Sequence, residues 1–123
     1  MNEEHIYLVA YQDFIDKYQK NLVAPEEIGR MIVILSQHFA TYNLMLANKI
    51  NDLARVADSL ASQIDANGKM ISAAKAEVQT EATQEARDYN VAKAHVNNIE
   101  HFISALTQLQ YGASLEWKNT KNT

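Results

Sequence analysis

The stretch IGRMIVILSQHFATYNLMLANKINDLARVADSLASQI, residues 28–64, decides the fold. Its apolar residues Ile28, Ile32, Leu35, Phe39, Tyr42, Leu46, Ile50, Leu53, Ala57, Leu60 and Ile64 recur in steps of three and four. That spacing keeps one side of an α-helix apolar, and a stripe sustained so long faces a partner of similar length. Two steps of four fall together at Tyr42, Leu46 and Ile50, which relaxes any supercoil there. The flanking residues set the ends. Pro25 fits a first helical turn, where its missing N–H costs nothing, and Glu26 and Glu27 suit the positive end of the helix dipole. Asn67-Gly68 tolerates left-handed backbone and is a natural stop. Gly29, the one breaker between these marks, lies close to the start and costs about 1 kcal/mol. The expectation is a helix over 25–66, about 60 Å long at ~1.5 Å per residue.

Working outward, the pattern resumes after Gly68 with Val78, Ala82, Ala86, Tyr89, Ala92, Val96, Ile99, Ile103, Leu106 and Leu109. The early part of this segment is rich in alanine, the best helix former and one that lets another backbone approach closely. A second long helix over 70–111, running back along the first and ended by Gly112, is expected; whether 72–83 is helix or loop stays open. On the other side, Ile6, Ala10, Phe14, Tyr18 and Leu22 recur every four residues, with Tyr7 and Tyr11 alongside, and give a helix over 3–22. Residues 118–123 are expected to form a mobile polar tail. The fold class is therefore all-α: one helical domain over 1–123, a short N-terminal helix plus a long antiparallel helical hairpin, coiled-coil-like, assembling as an oligomer.

Composition agrees and removes several alternatives. The 123 residues hold eleven Lys and Arg against fifteen Asp and Glu, a formal charge of −4, and 47% of them are hydrophobic. Wholesale disorder does not fit that fraction. Three Gly and one Pro are too few for the turns of an all-β sandwich or barrel. With no Cys, disulfides, thiolate zinc sites and a cysteine nucleophile are excluded. The acidic start Met1-Asn2-Glu3-Glu4 does not look like a signal peptide. The longest unbroken apolar run, Met31 to Leu35, falls far short of the ~20 residues of a membrane span. A cytoplasmic protein without membrane contact is the expectation.

The first half of the middle helix is apolar on several faces, through Met31, Ile32, Val33, Ile34 and Leu35 and then Phe39, Leu44, Met45 and Leu46. A helix apolar nearly all round must be covered on all sides, and large bare apolar patches on soluble monomers are rare. A second copy of the chain is the expected cover, in a symmetric dimer or a tetramer. Met31, Ile34, Leu35, His38 and Met45 are the candidate contact residues.

Candidate chemistry is sparse. His5, His38, His95 and His101 are scattered, and none has a carboxylate at the Glu-x-x-His spacing of di-iron bundles. Glu77, Glu81, Glu85 and Asp88 align on one helical face, and Glu85-x-x-Asp88 with Asp13-x-x-Asp16 would together, across a bundle, make a four-carboxylate Mg²⁺ site like those of all-α nucleotide pyrophosphohydrolases, the least favoured reading. The neighbouring Lys75, Arg87 and Lys93 suit a solvated face instead. No phosphate-binding Gly-rich loop or Ser/Thr nucleophile motif is present. No catalytic residue, metal or cofactor is expected. The row Tyr7, Tyr11 and Tyr18 with Phe14 has the stacking surface that single-stranded nucleic acid uses, but aromatic stripes on helices are more often core. Phosphate attraction is also opposed by Glu3, Glu4, Asp13 and Asp16 beside only Lys17 and Lys20. The single Trp117, next to Lys118, either caps the bundle or anchors a partner. Trp117, Lys118, Tyr7 and Tyr11 are the candidate partner-binding residues.

Residues 75–118 carry a resemblance. Lys75-Ala76-Glu77-Val78, Thr80-Glu81-Ala82, Tyr89, Ala92-Lys93-Ala94, Ile99 to Leu106 and the closing Ser114-Leu115-Glu116-Trp117-Lys118 look like a group of small helical-hairpin accessory proteins of bacteriophages, found in replication and recombination gene clusters. Only the Trp-bearing end is distinctive, since Ala, Glu and Lys dominate any such helix. The resemblance implies a non-catalytic, phage-encoded adaptor linked to DNA recombination or replication through another protein, working in the host cytoplasm. It names no DNA-contacting residue. Beside it stand direct single-stranded DNA binding through the tyrosine row with Lys17, Lys20, Lys118 and Lys121, an inhibitor of host defence, and a virion component.

Overall fold

The computed structural model describes the backbone of residues 5–121 and the side chains of residues 5–113. The described residues are helical, with α1 (Ile6–Gln19), α2 (Pro25–Ala61), α3 (Ala73–Glu81) and α4 (Gln84–Lys121) in chain order. The one β feature among them is an isolated antiparallel bridge between Ile64 and Met70.

Each helix end has a local cause. α1 stops at Gln19, short of Leu22, because Asn21 adopts φ 60°. In that left-handed conformation the Leu22 N–H donates to Lys17 C=O at 2.9 Å and the Asn21 N–H to Tyr18 C=O at 3.0 Å, occupying carbonyls the helix leaves open. α2 begins at Pro25 as the sequence indicates. The Glu27 carboxylate accepts the Ala24 N–H at 3.1 Å, one half of a capping box.

The far end of α2 departs from the expectation. The helix ends at Ala61 rather than near residue 66. Beyond it the backbone pairs with itself: Ile71 N–H donates to Gln63 C=O at 3.2 Å and Asp65 N–H to Lys69 C=O at 2.6 Å. Between them Gly68 sits at φ 80°. Asp65 Oδ1 accepts the N–H groups of Asn67 (2.8 Å) and Lys69 (3.0 Å). This is a three-residue connection closed by a left-handed glycine, the type in which Gly is favoured.

The expected helix over 70–111 is two helices. Ser72 caps α3, its Oγ accepting the Lys75 N–H at 3.1 Å, so most of the 72–83 segment is ordered helix. The break comes at Ala82 and Thr83. Thr83 Oγ1 donates to Thr80 C=O at 2.7 Å and accepts the Ala86 N–H at 3.1 Å, closing one helix and opening the next. The Arg87 guanidinium reaches back to Ala82 C=O at 3.2 Å. At the other end α4 does not stop at Gly112 but runs through Lys121, taking in residues expected to be a tail. One glycine costs a helix only about 1 kcal/mol, too little to end it where good helix formers follow.

By internal packing the chain divides into two compact units. The first contains α1, α2 through Ala40 and α4 from Asn97. Its core is Tyr7 and Phe14 from α1, Ile28, Met31 and Leu35 from α2, and Ile99 and Leu106 from α4. Full burial of such side chains contributes about 1.5–3 kcal/mol each. α2 and α4 approach closely at Gly29, where a Cβ would lie 3.1 Å from Gln110 Nε2. The second unit contains α2 from Thr41, α3 and α4 through Val96. It buries only Ala76, Ala86, Ala92 and Val96. Its stretch of α2 contributes no fully buried residue; Tyr42, Leu46, Leu53, Val56 and Leu60 are half-buried.

Candidate interaction surface

The residues expected at a contact between copies separate into two groups. Met31 and Leu35 are 5% and 0% exposed. They are sealed by the chain's own helices in the first unit, so that part of the expected surface is core. α1 supplies Tyr7 and Phe14 to the same core and covers a side of α2 that periodicity alone left bare. Ile34 and Met45 point outward and stay 42% and 43% exposed. His38 is half-buried, its ring 6.3 Å from that of Tyr7.

The tyrosine row is packing rather than display. Tyr7 is fully buried, with the Phe102 ring 6.2 Å away and a hydrogen bond to the Asn98 side chain. Tyr11 is half-buried and lies flat on Phe102, centroids 3.8 Å apart and planes 4° from parallel. Burial pushes the Tyr7 phenol above its ordinary pKa, partly offset by the Asn98 bond, and burial raises Tyr11 as well. Tyr7 offers no face to a base or a partner, and one face of Tyr11 is already occupied. Lys17 and Lys20, the cations assigned to the nucleic-acid alternative, pair with Asp13 at 3.2 Å and Asp16 at 3.1 Å on the exposed side of α1. The side chains of Trp117, Lys118 and Lys121 lie outside the described residues.

The acidic residues take on local roles. Asp88 accepts a bond from Gln84 Nε2 at 2.7 Å, and Asp52 pairs with Arg55 at 2.8 Å. Asp52, Arg55, Val56, Glu85 and Asp88 line a shallow cleft in the second unit. No group of three or more metal-ligating side chains occurs among the described residues. His95 packs beside Tyr42, rings 5.3 Å apart. No helix among the described residues is long and apolar enough to cross a membrane.

One feature escaped the sequence reading, and another extends the apolar surface expected at Leu44 and Met45. In the first unit Phe39, Glu100, Ile103, Ser104, Thr107 and Gln108 line an open groove of about 430 Å³. Phe39 belongs to the apolar stripe of α2, and the four-residue spacing of Glu100, Ser104 and Gln108 is that of any polar helix face; no local signal tells a groove wall from plain surface. In the second unit large apolar side chains stand outside an alanine core: Leu44, Met45, Ile50, Val78 and Val91 are all exposed. Burying one such side chain against a partner contributes about 1.5–3 kcal/mol. What this surface can do chemically is associate.

No protein-family model matches the chain, and no curated protein or solved structure matches it either.

Proposed function

We propose that the chain is a non-enzymatic, self-associating helical adaptor, an antiparallel hairpin of α2 and α4 that joins copies of itself and recruits another protein. One observation carries the reading: the second unit buries only three alanines and Val96 while Leu44, Met45, Ile50, Val78 and Val91 remain exposed. A unit with so little fully buried apolar surface is stabilised further when a partner covers those side chains. The assembly is a dimer or tetramer, with Ile34 and Met45 among the contact residues, and Trp117 and Lys118 serve as the anchor for the second protein. The connection to phage DNA recombination or replication, and to the host cytoplasm, rests on the resemblance of residues 75–118.

Light scattering tests the central claim. The mass in solution is expected to be at least twice 13.9 kDa. Met45→Glu, at an exposed position, lowers that mass while the helical circular dichroism signal is retained. A wild-type monomer at high micromolar concentration overturns the proposal.

A further inference from the structure

The turn between α2 and α3 holds the sequence Asp65-Ala66-Asn67-Gly68-Lys69. Asn67 and Gly68 are both exposed. Gly68 sits at φ 80° and has no side chain, and the space where a Cβ would stand holds nothing within 4 Å, so no β-carbon crowds the peptide nitrogen that follows Asn67. An asparagine amide followed by an unscreened glycine nitrogen has a reaction open to it without any enzyme. We propose that Asn67-Gly68 is a site of spontaneous deamidation, and that Asp65 sets its rate by holding the turn closed.

The chemistry balances with water alone. Gly68 N loses its proton to solvent base and attacks Cγ of Asn67. The Cγ–Nδ2 bond breaks and the side-chain nitrogen leaves, protonated, as ammonia. The resulting five-membered imide is opened by water at either carbonyl, giving aspartate or its β-linked isomer. The folded turn opposes the first step. The attacking nitrogen donates its hydrogen to Asp65 C=O at 3.0 Å, and the N–H groups on either side, of Asn67 and Lys69, both donate to Asp65 Oδ1. Attack therefore requires the Asp65 contacts to let go. The other asparagines with described side chains differ: Asn43, Asn48, Asn51, Asn90, Asn97 and Asn98 lie inside α2 or α4, and Asn21 is followed by Leu22 rather than glycine.

The product is a switch in the connection itself. Aspartate at position 67 adds a negative charge beside Asp65, which like-charge repulsion disfavours. The β-linked isomer lengthens the main chain by one atom within a three-residue connection, so the hydrogen-bonded register of Ile64 with Met70 is lost.

The test is incubation of the full-length protein at 37 °C in mildly alkaline buffer, with peptide mass mapping over time. The peptide holding Asn67 is expected to gain the mass of an amide-to-acid exchange ahead of those holding the helical asparagines. Asp65→Ala, whose helicity is checked by circular dichroism, is expected to convert faster, and Asn67→Gln not at all on the same timescale. No conversion of the wild-type peptide, or conversion no faster than at Asn43 or Asn97, overturns the site. An unchanged rate in Asp65→Ala overturns the control by Asp65.

Discussion

Tyr7 shows at the level of a single side chain how burial reassigns a residue. Its ring closes the core of the first unit and its hydroxyl bonds to Asn98. In the unfolded chain this phenol ionises near pH 10; in the folded chain ionisation is pushed higher by burial. The folded state is thus favoured in full while both forms are neutral, and that contribution is lost as pH rises from about 10 through the raised value. Urea melts at neutral and strongly alkaline pH are expected to show stability falling at the alkaline end, with a shallower fall in Tyr7→Phe and a residual slope from Tyr11. At neutral pH the same substitution costs about 0.5–1.5 kcal/mol through the lost hydrogen bond. Leu35→Ala, at a fully buried position, is expected to cost about 2–5 kcal/mol in the same assay. Sequence favoured packing for this row without showing which rings are sealed. Tyr7, Tyr11 and Phe14 have the same spacing whether they face solvent or core, and the ring that decides the matter, Phe102, arrives from a distant part of the chain.

At the level of helices, legibility depended on whether a stop is written in residue type or in a side-chain bond. Pro25 announced the start of α2 because proline's fixed φ acts alone. Asn21 and Thr83 were silent, since asparagine and threonine read as mildly unfavourable helix residues and become stops only when the backbone turns left-handed or the hydroxyl bridges two helices. Gly112 misled in the opposite direction. Glycine at that position lies within α4, and a Cβ there would meet nothing within 4 Å. Gly112→Ala is therefore expected to stabilise the protein by about 0.5–1 kcal/mol, read as a raised thermal midpoint. Thr83→Ala removes the cap of α4 and is expected to cost about 1 kcal/mol in the same measurement.

For the molecule as a whole, the all-helical class was legible from the three-and-four spacing, while the division of the core was not. Spacing marks which positions face inward and says nothing of how completely each is covered. The stripe through Leu46, Leu53 and Leu60 continues the pattern of Ile28 and Leu35, yet only the earlier residues reach full burial. Amide hydrogen exchange is expected to follow this difference, with stronger protection in α4 around Ile99 to Leu106 than in α3 around Ala76. The alanine core has one more consequence. Ala76, Ala86 and Ala92 are buried, so a larger side chain at any of them must displace its neighbours. Saturation mutagenesis should reveal an inverted tolerance map, in which polar replacements of Leu44 and Val91 keep the helical fold and lower only the mass in solution, while the modest enlargement Ala86→Val costs the fold about 1–3 kcal/mol.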